Sequence, residues 1–529
     1  MLDSKHLLTD EQMLQFITKG YLVLKNDLPH QLHNSIMNQI YYVLHEEGNP
    51  GNNILPRVPD IQQLFDTPVV KGALTSVLGS DYYMHPHRHC HYNRPGNQTP
   101  GGGTWHKDGY WSSFRSHRPW WAMIFYYTHD ITEDLGPTAI MPGTQYYEKF
   151  LDERGETLLP TGKAGTMVLV HFDLWHKASL NVSDLDRYML KFQFLRLSAP
   201  EFPSWNHQSK EMIVPEGTPA IHMNLWQDVW DWLRGDKHTA KQNSMNINDE
   251  RLLALQQDLE AEDSTVRERA ADDLGRIGIA AASCAPQLGV LLNDPVETTA
   301  LNAAYALGQL GIKGIEVLIG HLKEGSSLVA ERAAYGLQGA GMEAIPALLH
   351  VMKHEDEKRR ALAVFVLGMI GYPEGEAISS LISCLQDESD WVRRNAVEAL
   401  GMVRNPGEEV VSALANVLEE SLLCEICETD EASETKDMQS KNAYVTMQHY
   451  ISNKIGYTAA LSLLRKGKTG DPMKVVRSLQ QALYSKDRYV RAYAAEALTH
   501  LRTDEAIEIM IRYYRSSRWC QDTSKASTF

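Results

Sequence analysis

The sequence contains no run of apolar residues long enough to cross a bilayer. Its longest apolar stretches, such as Met167–Val170 and Ala361–Val366, fall far short of the ~20 residues that a spanning helix needs. Cysteine is scarce: 6 in 529 residues, mostly scattered, which excludes a disulfide framework and suits a reducing compartment. Positive charge is in deficit, with 51 Lys+Arg against 67 Asp+Glu and a net charge of −16. Such a chain lacks the broad basic surface that displaces counterions from nucleic acid or docks onto anionic lipid. The opening residues Met1 to Glu11 hold no apolar core of a signal peptide, and the ending Lys525 to Phe529 is neither a peroxisomal nor an ER address. Together these absences lead to the expectation of a soluble cytoplasmic protein with no nucleic-acid partner and no membrane span. With hydrophobic residues at 43% and charged residues at 22%, global disorder is excluded, and the length predicts two to four domains.

What is present is divided unevenly. Sixteen of the 21 histidines and nine of the 11 tryptophans precede residue 241, so the composition marks a boundary and puts any histidine-based metal site in the first half. The polar, unpatterned stretch Gly235–Asp249 reads as a linker. After it the sequence repeats itself. Segments beginning at Val266, Ala300, Ala330, Arg360, Val392 and Val490 share an Ala-rich amphipathic pattern. Their equivalent positions Gly275, Gly308, Gln338, Gly368 and Gly401 are spaced by 33, 30, 30 and 33 residues. A helix, a Gly-containing stop and a second helix at this period predict a stacked α-solenoid in which each repeat buries its apolar face on the next. The pattern resembles short HEAT-like repeats, and such arrays imply a binding surface for a protein partner. The expected organisation is residues 1–240 as one domain, 241–250 as linker, and 251–518 as solenoid with an acidic insertion at about 420–442.

Within the first half, Thr9-Asp-Glu-Gln12 is a capping box ahead of Met13, Leu14, Phe16 and Ile17 at helical spacing, and Gly20 ends that helix. A short strand follows at Tyr21–Leu24 and a second helix at Pro29–His45. From Asp81 onward strands alternate with turns: Tyr82–Tyr92, Trp120–Thr128, Ala139–Met141, Gly165–Phe172 and Tyr188–Ser198. Many short strands in one compact region predict a jelly roll or small barrel. The sharpest motif is Thr104-Trp-His-Lys-Asp-Gly109. On an extended segment His106 and Asp108 point to the same face, and an imidazole beside a carboxylate makes two thirds of a facial triad for non-haem Fe(II).

Four ordered motifs then carry a family resemblance over residues of about 8–200. They are the opening Leu8-Thr-Asp-Glu-Gln with Phe16 and Gly20-Tyr-Leu-Val, then His106-Lys-Asp108, then Gly136–Thr144, and last His176 with Asn181-Val-Ser and Arg187. This region resembles the phytanoyl-CoA dioxygenase family of Fe(II)/2-oxoglutarate oxygenases. The resemblance implies an N-terminal double-stranded β-helix (cupin-like jelly roll), hence an α+β multidomain protein. It implies Fe(II) on His106, Asp108 and His176, with 2-oxoglutarate and O2 as cosubstrates. It implies Arg187, 11 residues after His176, as the anchor for the far carboxylate of 2-oxoglutarate, whose fork a planar guanidinium matches. The expected activity is hydroxylation of an unactivated C–H bond in a small or carrier-tethered substrate, releasing succinate and CO2. Because the carboxylate Asp108 is present, oxygenation rather than chlorination is expected. Tyr92 occupies the strand position that lines the oxoglutarate pocket in the family, and Trp111, Phe125 and Tyr127 are candidates for the substrate wall.

Three decoys compete. His171-Phe-Asp173 is a second H-x-D. His85, His87, His89 and His91 alternate along one strand, a row that zinc could use. Cys424 and Cys427 form a C-x-x-C beside acidic residues, but no second pair follows. Alternation along the strand favours His176 over His171 as the distal ligand, because Val168, Val170, Phe172, Leu174 and His176 make one apolar row ending in a histidine. The alternative function, from another class, is a HEAT-repeat scaffold with an inactive oxygenase-like domain.

Overall fold

A computed structural model describes residues 3–25, 27–98, 100–108, 114–149, 156–214, 218, 221–236, 249–371, 374–404, 406–427 and 443–516. The chain divides into two compact units, Met1–Lys237 and His238–Phe529. Most of the linker expected at 241–250 lies outside the described residues.

In the first unit, helix α1 spans Asp10–Lys19. The Thr9 hydroxyl accepts from the Gln12 amide while the Gln12 side chain accepts from the Thr9 amide, a reciprocal cap worth about 1 kcal/mol. Met13, Leu14, Phe16 and Ile17 are buried, as the 3.6-residue period requires. Gly20 closes the helix in the left-handed region (φ 76°) and turns the chain into strand β1, Tyr21–Leu24. Helix α2 spans His30–Tyr42 and widens into a π turn over Val43–Glu47. Helix α3, Pro68–Leu78, has Thr67 as its cap and Pro68 in its first turn.

The strands that follow are β2 (Tyr83–Asn93), β3 (Trp121–Tyr127), β4 (Ala139–Ile140), β5 (Met167–His171), β6 (His176–Lys177) and β7 (Arg187–Leu195). They form two sheets. The larger is antiparallel in the order β1-β5-β3-β7-β2. The smaller pairs β4 with β6 and is widened by single bridges from His106 to His176 and from Ile140 to Leu158. This sheet-rich unit has the double-stranded β-helix organisation, and it is followed by an all-α repeat unit.

Cross-strand register assigns each side chain of the larger sheet to a face, because directly opposed residues share one. Val168, Phe125 and Lys191 are opposed in turn, and Lys191 is opposed to His89. Val170, Met123 and Gln193 make a parallel row, as do Tyr127, Met189 and His91, and then Arg187 and Asn93. The Phe125 ring lies 5.8 Å from the His176 ring of the smaller sheet, so this face looks into the space between the sheets. Its β5–β3 half is apolar and its β7–β2 half polar. The opposite face packs under the helices, for example Phe65 against Phe192 (4.5 Å between ring centroids).

The second unit is a succession of helix pairs. The helices that carry the sequence repeats are Ser264–Ile277, Glu297–Gln309, Ser327–Ala340, Glu357–Ile370, Asp390–Met402 and Arg488–Leu501, and the helix Ala443–Lys466 packs between the last two. Their close approach needs small residues: a Cβ on Gly368 would lie 2.7 Å from the Cα of Ala399. Repeats are also tied by equivalent polar contacts. Arg267 pairs with Asp294, and Arg360 with Asp387, each through both Nε and Nη2. Asn302 and Asn395 donate to the carbonyls of Glu268 and Ala361 in the preceding repeats. Ser264–Leu291 is long and apolar enough to cross a membrane by length and composition, but Gly278 interrupts it and Ala270, Ala271, Leu274 and Leu288 are buried in the solenoid. Cys424 is exposed near the end of the helix Glu408–Cys427, and the acidic residues 428–437 lie outside the described residues.

Candidate metal centre

Backbone pairing brings the two separated histidines together. His106 and His176 exchange both hydrogen bonds of an antiparallel bridge, each 3.0 Å, so their rings stand on one face with centroids 4.5 Å apart. Extended backbone returns the side chain of Asp108 to that same face. One ligand atom from each of His106, Asp108 and His176 lies within 4.8 Å of the others, the only such group of three among the described residues.

The tautomers follow from the neighbours. His106 Nδ1 is 2.8 Å from the carbonyl of Thr104, and His176 Nδ1 is 2.9 Å from the carbonyl of Leu174. A carbonyl only accepts, so each Nδ1 carries the proton and each Nε2 keeps its lone pair free. His176 Nε2 is buried without a hydrogen-bond partner, 3.8 Å from Asp108 Oδ1. Burial holds the His176 imidazole down to about 4, neutral and able to coordinate. Asp108 is only 9% exposed. Burial alone would raise its carboxyl, but the ammonium of Lys191 and the imidazoles of His176 and His106 hold it well below the usual carboxylate range. Lys191 Nζ donates to Asp108 Oδ2 at 2.7 Å and Gln193 Nε2 does so at 3.4 Å, which leaves Oδ1 turned toward His176. Two neutral nitrogens and one carboxylate, each oriented by a second contact, are a donor set that fits a divalent transition metal.

Arg187 begins β7 and is 1% exposed. Its Nη2 donates to the carbonyl of Gly136 at 3.0 Å and its Nη1 to that of His91 at 3.4 Å, while Nε has no partner. No acid pairs with this guanidinium among the described residues. Gly136 sits at φ 65°, and a Cβ there would meet the carbonyl oxygen of Leu180 at 2.6 Å, so only glycine presents this carbonyl. Asn181 pins the following loop: its side chain donates to the carbonyls of Asn93 and Leu185 and accepts from Ser183. A cavity of about 740 Å³ opens beside Arg187, lined among others by His89, His91, Arg94 and Thr138.

The remaining expectations divide. Phe125 and Tyr127 lie on the inner face, Phe125 beside His176, with the Tyr127 hydroxyl accepting from the Thr138 amide at 3.0 Å. Trp111 lies outside the described residues. Tyr92 lines the same cavity as Arg187 but from the edge. It is opposed to Tyr188, not to Arg187; its ring stacks on Tyr188 at 5.1 Å, and its hydroxyl donates to Asp186 at 2.8 Å. Although it borders the cavity, its ring belongs to the helix-covered face. The residues of β2 that share a face with Arg187 are His89, His91 and Asn93. His171 also stands apart from the triad: it packs on Phe16 and Tyr146, 6.0 and 6.3 Å between centroids, and a turn at Phe172–Asp173 separates its strand from β6. Its partner in the second H-x-D, Asp173, is paired with Arg115, which also donates to the carbonyl of Asp108 at 2.7 Å. Sequence reasoning gave Lys191 no place beside Asp108 and gave Gln193 and Arg115 none at all. The one available signal was that Lys191 lies four residues after Arg187, on the same strand face.

Comparison with known proteins gives two family matches. Residues 33–189 match the phytanoyl-CoA dioxygenase (PhyH) family, and residues 345–422 match HEAT repeats, so the chain carries a PhyH domain and HEAT repeats. No curated protein matches it. Among solved structures, it is similar to the non-heme alpha ketoglutarate dependent carbocyclase SnoK from nogalamycin biosynthesis, with 15% identity over 37% of this chain and 88% of that one and a TM-score of 0.32. It is also similar to EctD from S. alaskensis with 2-oxoglutarate and 5-hydroxyectoine, with 18% identity over 40% and 84% of the respective chains and a TM-score of 0.31.

Proposed function

We propose that the first unit is an Fe(II)- and 2-oxoglutarate-dependent oxygenase that hydroxylates an unactivated C–H bond of a small or carrier-tethered substrate. The observation that carries this reading is the convergence of His106, Asp108 and His176, with both imidazole Nε2 atoms and Asp108 Oδ1 left available. Three protein ligands on one face of Fe(II) leave three positions open. Arg187 supplies the second requirement. A buried guanidinium without an acid is costly, and a carboxylate ligand would offset that cost. When bound, Fe(II) with 2-oxoglutarate and O2 supplies the oxidising power for C–H functionalisation.

The chain's own residues have distinct tasks. Thr104 and Leu174, through their carbonyls, fix the imidazole tautomers. Lys191 and Gln193 hold Asp108 Oδ2, so the carboxylate is oriented before metal arrives. Arg187 takes the distal carboxylate of 2-oxoglutarate, and Gly136 and His91 hold the guanidinium in place. Phe125 and Tyr127 keep water from the apolar side of the space between the sheets. The complete donor set favours an enzyme over an inactive scaffold. The solenoid is proposed to bind a protein partner.

The test is production of succinate from 2-oxoglutarate by the purified full chain with Fe(II) and ascorbate. Succinate above a metal-free control is expected. Absence of turnover together with absence of binding of either ligand would return the scaffold reading.

A further inference from the structure

The second H-x-D, His171-Phe-Asp173, takes no part in the donor set, yet its carboxylate reaches the metal centre through an arginine. Asp173 sits in the turn between β5 and β6, three residues before His176. That turn is well defined: the Asp173 amide donates to His171 Nδ1 at 3.1 Å, and the Leu174 amide to the His171 carbonyl at 3.0 Å. Asp173 Oδ1 is ion-paired with Arg115 Nη1, and the two side chains are only 12% and 22% exposed. The same Nη1 donates to the main-chain carbonyl of Asp108 at 2.7 Å. Glu148 Oε2 lies 3.8 Å from Arg115 Nε. A guanidinium satisfied by Asp173 and Glu148 alone would stabilise the fold; its further contact, on the main chain of Asp108, is what links it to the centre. The stretch that carries Asp108 and the stretch that carries His176 are thus tied at two points. The backbone bridge between His106 and His176 is the first, and the chain of contacts from the Asp108 carbonyl through Arg115 to Asp173 is the second. One tie allows a twist about itself, whereas two set both separation and angle. Asp108 is also restrained at both ends, because Lys191 and Gln193 hold Oδ2 while Arg115 holds the carbonyl. A carboxylate fixed through side chain and main chain presents Oδ1 in one direction, here toward His176 Nε2 at 3.8 Å.

We propose that Arg115 and Asp173 are positioning residues for the metal centre: through the Asp108 carbonyl they set where Oδ1 stands relative to His176. The proposal rests on the reading of His106, Asp108 and His176 as metal ligands, and it names what holds two of them in register. Neither positioning residue belongs to the group of three itself. Asp173 anchors and orients Arg115, and Arg115 acts on Asp108.

The experiment uses the full chain and Mn(II). Calorimetry gives the affinity, EPR reports the symmetry of the bound ion's ligand field, and thermal melting of the metal-free protein reports the fold. Arg115→Gln and Asp173→Asn should each weaken Mn(II) by about tenfold, the loss typical when a group that orients a metal ligand is removed. Both should change the zero-field splitting of the bound ion in the same sense. The double variant should lose little more than the weaker of the two single ones, because both act through one chain of contacts. Arg115→Lys, whose ammonium still reaches toward the carbonyl, should recover part of the affinity. If Arg115→Gln does not fold, Asp173→Asn and Arg115→Lys carry the comparison, with Mn(II) weakened in the first and less so in the second. A lowered melting temperature with unchanged Mn(II) affinity and EPR would make the pair a brace of the fold alone and overturn the proposal. Fully additive losses in the double variant would overturn it as well. A wild-type protein that binds no Mn(II) would overturn the metal reading and the proposal with it, whereas wild-type binding that every variant matches would overturn the proposal alone.

Discussion

Arg187 and Tyr92 make opposite predictions from neighbouring positions on two paired strands. Arg187→Leu removes a buried charge-assisted contact worth about 1.5–3 kcal/mol, so 2-oxoglutarate should bind roughly 10- to 150-fold more weakly while Fe(II) affinity stays close to wild type. Calorimetry with each ligand checks both halves. Tyr92→Phe should leave 2-oxoglutarate affinity unchanged, since its hydroxyl is bound to Asp186 on the other face. A large loss in that variant would mean that the Tyr92 hydroxyl itself contacts 2-oxoglutarate. His171 yields a pH prediction. Burial holds its imidazole down to about 4 in the folded protein, against 6.5 for an exposed group. Between these values the unfolded chain binds the extra proton, so stability is full above pH 6.5 and falls as the pH drops toward 4, by on the order of 3 kcal/mol. His171→Phe should flatten that part of the stability curve in urea titrations and leave metal binding intact, whereas His176→Ala should lose the metal. An unflattened curve would mean that other groups govern acid unfolding.

Elements show which features were legible beforehand and which were not. Helix α1 could be read almost to the residue because its signals are local: Thr9 and Gln12 cap it and Gly20 ends it. The solenoid was legible because it repeats, and periodic Ala and Gly positions translate directly into helix contacts. Strands β3, β5 and β7 were found within three residues at each end, but the face that each residue of β2 presents was not. That face depends on the partner strand and on a register shift between Met84 and Arg88, neither of which leaves a local mark. The pairing of Lys191 with Asp108 joins residues 83 apart in the chain and was equally invisible. Element-scale changes should therefore be separable. Gly136→Ala, which places a Cβ against the Leu180 carbonyl, should disturb the loop under Arg187 and weaken 2-oxoglutarate binding with little effect on metal. Gly368→Val forces two solenoid helices apart at Ala399, and overpacking of this kind costs roughly 1–3 kcal/mol. It should lower the solenoid's own unfolding transition in calorimetry while the iron site survives; loss of iron binding would contradict that separation.

For the whole molecule, the division at Lys237 puts every residue of the proposed site in the first unit, because the triad, Arg187 and the cavity precede it. A chain ending near residue 237 should keep its Fe(II) site, and a folded truncation unable to bind metal would refute the division of labour. In the second unit Arg267–Asp294, Arg360–Asp387, Asn302 and Asn395 tie consecutive repeats to each other. The central claim is that His106, Asp108, His176 and Arg187 hold Fe(II) and 2-oxoglutarate as one chelate. Anaerobic titration of the full chain with Fe(II) and then 2-oxoglutarate, followed by visible absorption, tests it most directly. The account predicts a weak charge-transfer band that saturates at one Fe(II) per chain, is absent in His176→Ala, and needs much more 2-oxoglutarate in Arg187→Leu. A wild-type protein that binds both ligands without the band, or a His176→Ala variant that keeps it, would contradict the account.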